Sequence, residues 1–482
     1  ADGSETVGNG RLDWVYPEEL DLGTAHWWSP DSRLIAYLQF DVSRQPLYPH
    51  ADLLAGVPLY EPQRYPSAGQ PNARVRLGVV RPSGGRTRWL GVESGEDALL
   101  ARVQWHPQGQ SLFVQRLNRV QNRLDLLRAD AATGRVRLLL REEDPHWINA
   151  GDFLYFLKGG AEFLWGSERD GFRRLYRHSA DGALLAQLTS GPWEVTQLAG
   201  VAEARGEVFY VSTEASPLER HLFAVELGGG GKRRITQQPG THAISMGADA
   251  AFYVDTFSSL NTPPRRSVHT LDGALWSVCG EADDSLREQY ERLPVEIAPV
   301  KAADGETLYA RLIRPAGFRP GLLYPAVVMV YGGPGSQAVL NQWEGLDPGQ
   351  LLAARGFAVW QLDNRGSAGR GHQWESALFR RFGARELADQ TDGLNHLLAM
   401  GFVDRARVGV YGWSYGGFMT LYSLLHAPGL FAAGVAGAPV TDWTNYDTIY
   451  TERYLGLPAE NEEGYRLSSP RHFAANLKAS LL

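Results

Sequence analysis

The sequence predicts two fold classes in tandem, a β-propeller built from only some of its blades and then an α/β-hydrolase domain. Three observations predict it. Residues 1 to 290 read as short strands punctuated by turns, apolar strands alternate with helices from Leu293 onward, and a Gly-x-Ser-x-Gly run stands between a strand and a helix.

Strand-sized runs in the first part include Leu34–Leu38, Ser111–Val114, Phe153–Phe156 and Val208–Val211. Their alternating or aromatic character suits half-buried strands. Asp170-Gly171, Asp181-Gly182 and the glycines from Gly228 to Gly231 are turn signals between such runs. A loose repeat is visible as well: Trp28-Ser29-Pro30-Asp31 precedes one strand and Trp105-His106-Pro107-Gln108 another. Aromatic, turn, strand, hairpin and strand in that order suit propeller blades of about 40 to 50 residues, with room for about five or six. An irregular β-sandwich is the competing reading.

In the second part, Ala326–Val330 and Phe357–Trp360 read as buried strands and Glu386–Met400 as a helix with Leu387, Leu394 and Leu398 on one face. Val408–Tyr411 is again a strand, and Gly416–His426 a helix. Such alternation means a largely parallel sheet covered on both faces. The expected domains are therefore 1–290, partial propeller, and 291–482, hydrolase.

At 482 residues the chain is long for a single core. It is 44% hydrophobic and 21% charged, with formal net charge -7, so no cationic field draws phosphates and nucleic acid is not an expected partner. The single cysteine, Cys279, precludes an intrachain disulfide and is expected to be a small buried residue. No apolar run reaches the roughly 18 residues needed to span a bilayer. The opening ADGSETVGNG is neither a signal peptide nor preceded by an initiator methionine. The expectation is a segment that begins mid-protein, from a soluble bacterial periplasmic or secreted protein, with the cytoplasm as the alternative. No metal or cofactor is expected.

The sharpest motif is Gly412-Trp413-Ser414-Tyr415-Gly416-Gly417. Chance alone supplies ~0.3 matches of so short a pattern. Its context is what counts: a buried strand before it and a helix after it make a nucleophile elbow, in which small residues keep the turn tight and the serine hydroxyl projects. A plain glycine-rich turn is the alternative. The helix start supplies oriented N–H groups for developing negative charge. One oxyanion donor is then the Tyr415 amide. The second is expected from Tyr331-Gly332-Gly333-Pro334-Gly335, directly after the strand 326–330. Tyr331 could donate its phenol, or simply plug the sheet edge.

Tyr331-Gly332-Gly333-Pro334 with Ser336-Gln337, Asp363-Asn364-Arg365-Gly366-Ser367, the Ser414 motif and Tyr450-Thr451-Glu452-Arg453-Tyr454 occur in that order. Together with Asp13-Trp14-Val15-Tyr16-Pro17-Glu18-Glu19 and Trp27-Trp28-Ser29-Pro30, they resemble the dipeptidyl peptidase IV branch of the prolyl oligopeptidase family of serine peptidases. The resemblance covers nearly the whole chain. It implies that Ser414 attacks the scissile carbonyl, with Tyr331 and the Tyr415 amide in the oxyanion hole. Val440, Trp443, Tyr446, Tyr450 and Tyr415 would line the pocket for a penultimate proline or alanine. Aromatic walls suit a stiff apolar ring, although core packing explains such aromatics equally well. Glu18 and Glu19 would grip the free α-ammonium of a peptide, so that cleavage falls after the second residue. Otherwise they are a solvated pair at a helix start. Asp447 and Arg453 are expected to tie down the loop that carries the aromatics.

The sequence departs from the family after Ser414. The triad order is Ser, acid, His, but no His-Gly-x-x-Asp-type turn follows. His426 lies 12 residues along the helix behind the elbow, ~18 Å away, and cannot be the base. His472 is expected at the surface. The expectation is therefore truncation at both ends, a carbonyl-binding arginine lost with the missing blades, and a chain that is catalytically silent alone. The implied partners are peptides with a free amino end, with a homodimer in the longer protein. An oligopeptidase or acylaminoacyl peptidase on the same frame, and a non-catalytic scaffold, are the competing functions.

Overall fold

A computed structural model describes residues 3–54, 56–93, 97–247, 250–281 and 292–482. Five sheets of four or five strands precede residue 282 among the described residues, besides two two-stranded ribbons within residues 47–64. The first combines Val7–Asn9, His26–Trp28, Ile35–Asp41, Arg74–Val80 and Arg88–Leu90. The others each hold four strands in sequential order, from Leu99–Trp105 through Leu275–Glu281. Sequential order follows from short hairpin connections, which leave each strand no neighbour but the next one.

The aromatic–turn repeat has a common geometry. The Ser29 amide donates to Leu34 O over 2.9 Å, and the His106 amide to Ser111 O over the same distance. Ser32 and Gly109, at matching places in the two turns, both have positive φ, 59° and 71°. Asp31 or Gln108 thus stands at the tip of the same tight reversal, and the strand that follows enters its sheet in the same way.

Beyond residue 292 the sheet changes type. Seven strands run in the order Val295–Lys301, Thr307–Ile313, Ala358–Asp363, Tyr324–Met329, Val403–Trp413, Ala433–Gly437, Ser480–Leu481. The first two pairings are antiparallel and the rest parallel. We label β1 (Tyr324–Met329), β2 (Ala358–Asp363), α2 (Ala384–Ala399), β3 (Val403–Trp413) and α3 (Tyr415–His426), with α1 (Val15–Leu20) and α4 (Thr448–Leu455) elsewhere in the chain. β1 lies between β2 and β3, so its C-terminal end opens beside the end of β3, where α3 begins. Crevices of open parallel sheets form at such C-terminal ends.

The chain divides into two compact units: Ala1–Arg169 with Tyr176–Leu185 and Trp443–Tyr465, and Asp170–Leu175 with Ala186–Asp442 and Arg466–Leu482. The expected boundary between residues 290 and 291 lies outside the described residues. Within the first unit, α4 is held by groups far away in sequence. The fully buried Glu452 carboxylate takes two bonds from Arg119, at 2.6 and 2.8 Å, and one from the Gly69 amide at 2.8 Å. Gln121 donates to Ile449 O over 2.5 Å, and Ile449 itself joins the apolar core of that unit.

Cys279 corrects an expectation. It is exposed, with Leu275 and Trp276, on Leu275–Glu281. Among the described residues that strand is the outermost of its sheet and has a neighbour on one side only, so a small apolar residue there is not drawn into a core.

Candidate active site

Ser414 sits at the junction of β3 and α3 with φ 57° and ψ -117°. A non-glycine residue there costs about 1–3 kcal/mol, and the surroundings must enforce it. Two backbone bonds do so: the Ser414 amide donates to Gly437 O, and Phe418 N–H donates to Ser414 O, both over 2.9 Å. The glycines of the motif are a packing requirement. A Cβ on Gly412 would fall 2.2 Å from Gly416 O, one on Gly416 would fall 2.1 Å from Val330 O, and one on Gly417 would fall 2.4 Å from Gly437 O. The elbow is therefore pressed against the end of β1, and Ser414 stands exposed above it.

The loop leaving β1 carries Tyr331, which is 40% exposed, with its ring centroid 6.1 Å from that of Tyr415. Gly416 lies so close that its missing Cβ would be 3.1 Å from Tyr331 Cα. Tyr331 and the elbow thus converge, and Tyr415 opens α3, where the first amides of a helix have no acceptor inside it. The Asp363–Ser367 motif holds this loop in place. Asp363 accepts from the Ala338 and Val339 amides over 2.9 and 2.8 Å. Asn364 donates to Gly332 O over 3.1 Å, and Arg365 pairs with the buried Asp389. Burial lifts the Asp363 carboxyl to about 6 despite those two amides. Val440 lies half-buried on the segment that follows Ala433–Gly437.

The remaining predicted residues belong to the other compact unit. In α1, Val15, Tyr16 and Leu20 face the core, which turns Glu18 outward and leaves Glu19 half-buried. Tyr16 anchors the helix edge-on against Phe40 at 4.8 Å and accepts from the Leu100 amide over 3.2 Å. Arg453 donates to Glu19 O over 2.9 Å and to Gln121 Oε1 over 2.8 Å. Tyr446 Oη donates to Glu19 Oε1 at 3.5 Å. Asp447 caps α4 by accepting from the Tyr450 amide over 3.0 Å, and its backbone bridges to Ser67. Burial pushes the Glu19 carboxyl up, and the neighbouring Asp447 adds to this while Arg453 opposes it. Burial likewise raises Asp447. Trp443, Tyr446 and Tyr450 form one aromatic group: Trp443 stacks near-parallel on Tyr450 at 6.0 Å, and Tyr446 meets Tyr450 edge-on at 5.3 Å.

No histidine nitrogen bonds Ser414 among the described residues. His426 stacks on Tyr422 at 3.8 Å and bonds Tyr422 O, while His472 is exposed.

Residues 1–264 match the model of the dipeptidyl peptidase IV (DPP IV) N-terminal region, and residues 348–482 match that of the prolyl oligopeptidase family. The chain belongs to the prolyl oligopeptidase family, in its dipeptidyl peptidase IV-like branch. Its fold class is accordingly a β-propeller followed by an α/β-hydrolase. Within the family it is 30% identical to dipeptidyl peptidase 8 of Mus musculus over 95% of the chain and 61% of that protein. It is 28% identical to a probable dipeptidyl peptidase 4 of Emericella nidulans over 98% of the chain and 64% of that protein. It superposes on dipeptidyl peptidase 4 of Porphyromonas gingivalis with TM-score 0.94 and 33% identity, covering all of this chain and 69% of that one. The chain thus spans between three fifths and two thirds of the length of these curated relatives.

Glu386 is a residue whose helix the sequence predicts but whose contact with the elbow it does not. Glu386 is fully buried, and its Oε1 accepts from the Tyr415 hydroxyl over 2.7 Å and from the Gly383 amide over 2.9 Å. The spacing of Gly383 and Glu386 is that of half a capping box. That signal was available, although the bond to Tyr415 was not.

Proposed function

We propose that this chain carries the nucleophile, oxyanion donors and amino-end clamp of a serine exopeptidase that releases N-terminal dipeptides, with proline or alanine preferred at the second position. The observation that carries this reading is the bond from Tyr446 to Glu19 within one compact unit. It joins an acidic group suited to an ammonium to aromatic walls suited to a pyrrolidine ring, on elements that Arg453 also ties together. In this reading Ser414 adds to the scissile carbonyl, and Tyr331 and the Tyr415 amide receive the negative charge that develops on its oxygen. Trp443, Tyr446 and Tyr450 are proposed to receive the penultimate side chain, with Val440 as a further proposed contact, and Glu18 and Glu19 to hold the amino end. Residues 1–290 then form the propeller and 291–482 the hydrolase.

Without a base the serine hydroxyl is a weak nucleophile. The 482-residue chain is therefore proposed to bind such ligands without turning substrate over. The test pairs two measurements on this chain. Calorimetry should show binding of alanyl-pyrrolidide and its loss on N-acetylation, and an Xaa-Pro chromogenic conjugate should stay intact. Equal binding of the acetylated ligand would shift the reading to an oligopeptidase or acylaminoacyl peptidase. Turnover that Ser414→Ala abolishes would mean that a base is present.

A further inference from the structure

The Glu386 carboxylate is buried directly beneath the residue that follows the nucleophile. Its Oε1 accepts both the Tyr415 hydroxyl and the Gly383 amide, while its Oε2 is buried without a partner. The Tyr415 ring is 2% exposed and packs edge-on against Phe382 at 5.4 Å and Phe418 at 5.0 Å. On its other side lies Gly333, whose missing Cβ would sit 3.1 Å from Tyr415 Cγ and 2.8 Å from Tyr331 Cε1. Gly383 is equally confined, since a Cβ there would fall 2.5 Å from the Tyr422 ring. One carboxylate oxygen therefore links the start of α2 to the first residue of α3. That residue bears the amide aimed at the oxyanion, and its ring abuts the loop bearing Tyr331.

Buried carboxylates are costly, and a capping role alone could be filled by an exposed glutamate. A side chain that gives up solvent and leaves one oxygen unpaired needs a further reason to be there. We infer that Glu386 is a positioning residue of the acyl-transfer site: by holding the Tyr415 hydroxyl it fixes where the Tyr415 amide points and how Ser414 is presented. Nothing in this role touches substrate. Displacing the tightly packed Tyr415 side chain would shift the start of α3, and Ser414, immediately before it, already sits in a sparsely populated conformation that neighbouring contacts must enforce. Oxyanion donors act only when they are preorganised at the place where charge develops, so loss of this tether shows in tetrahedral adducts and not in ground-state binding.

This inference rests on the peptidase reading, and its test separates the two. A dipeptide boronate, alanyl-boroproline, captures Ser414 as a tetrahedral adduct: Oγ bonds to boron, the hydroxyl proton passes to solvent, and neutral trigonal boron becomes an anionic tetrahedral centre. Alanyl-pyrrolidide occupies the same pocket without forming that bond. Both affinities are measured for the wild-type chain and for Glu386→Gln, Glu386→Ala and Tyr415→Phe, with boron-11 NMR confirming the adduct. Glu386→Ala and Tyr415→Phe should weaken the boronate about tenfold or more and the pyrrolidide by less than about twofold. Glu386→Gln keeps an acceptor oxygen and should retain most of the boronate affinity. A boronate-to-pyrrolidide ratio unchanged in both Tyr415→Phe and Glu386→Ala overturns the inference. Tyr415→Phe preserves volume and decides the matter if Glu386→Ala does not fold. If the wild-type chain does not bind the pyrrolidide, the peptidase reading fails on that ground, and adduct formation between Ser414 and phenylboronic acid, compared across the same variants, still decides the role of Glu386.

Discussion

Tyr446 Oη lies 3.5 Å from Glu19 Oε1, although 427 positions separate the two residues in sequence. The bond is long and neutral-to-charged, so it orients the carboxylate more than it stabilises it. Glu19→Gln should therefore weaken alanyl-pyrrolidide binding by about a hundredfold, because it leaves an ammonium facing an uncharged amide in a half-enclosed site. Tyr446→Phe should cost only about three- to fivefold, the value of one ordinary hydrogen bond. Titration calorimetry of both variants checks the contrast. Comparable losses would mean that the carboxylate charge is not what holds the ligand.

Glu19 and its neighbour Asp447 set a pH dependence. Burial raises both Glu19 and Asp447, so each keeps its proton above the ordinary carboxylate range. A protonated clamp attracts an ammonium poorly. Affinity for alanyl-pyrrolidide should thus keep rising with pH well beyond the ordinary carboxylate range, until the ligand amine deprotonates near ~8. The stability linkage has the opposite direction. A carboxyl whose folded-state value is raised binds more protons folded than unfolded, so its contribution is fully present below the unfolded value and is lost as pH rises through the folded one. In Glu19→Gln the rising limb of the affinity profile should flatten, as calorimetry at stepped pH would show.

Glu386 offers a cleaner case of that linkage, since burial lifts it to about 7 while bonds from Gly383 and Tyr415 and the nearby charge of Asp389 modulate it. Between its ordinary value and about 7, the folded protein should lose on the order of 3 kcal/mol as the carboxyl ionises in place. Glu386→Gln cannot ionise. Its melting temperature should therefore fall less than the wild type's between pH 5 and 8, an interval ~3 units wide that brackets the transition. Parallel melting curves across that interval would refute the assignment.

The nucleophile elbow was legible because its determinants are local. Glycines two and three positions from Ser414, a strand before it and a helix after it all lie within one short window. Each of those glycines proves to face a backbone oxygen nearer than a Cβ allows. The turn repeat at Ser29 and His106 was legible for the same reason. The seating of α4 was not, since its anchor Arg119 lies 333 positions from Glu452 and no periodicity links them. Glu386 was hidden differently: its position in a helix was plain, but its acceptor role depends on how α2 meets α3. Cys279 misled because residue type predicts burial only on average, and an outermost strand does not follow the average.

The Gly416 contact gives a steric prediction that needs no ligand. A methyl group there would fall 2.1 Å from Val330 O, which is backbone and cannot swing aside. Gly416→Ala must push β1 and α3 apart or distort the elbow, and overpacking of this kind costs about 1–3 kcal/mol or more. Gly23→Ala, where nothing lies within 4 Å and φ is not positive, serves as the control for a methyl group added without crowding. The melting temperature should fall for Gly416→Ala and hold for the control, and Gly416→Ala should in addition lose the boronate adduct of Ser414. An intact adduct in Gly416→Ala would show that the elbow tolerates displacement.

The last prediction concerns Glu452, whose side chain is fully shielded from solvent while Arg119 is 18% exposed. Arg119 spans Glu452, the Gln70 carbonyl and Asp97, so a single guanidinium satisfies three acceptors. Removing only the arginine strands a buried carboxylate, whereas removing both charges does not. Arg119→Met should therefore cost about 3–5 kcal/mol, and the double variant Arg119→Met with Glu452→Gln should recover part of that loss, because an amide can still accept from the Gly69 N–H. Loosening α4 also frees Tyr450, whose ring is packed edge-on against Tyr454 at 5.0 Å. Pyrrolidide affinity should then fall alongside stability in Arg119→Met and return in the double variant. Urea unfolding together with calorimetry resolves the two effects, and stability lost without affinity would detach α4 from the proposed pocket.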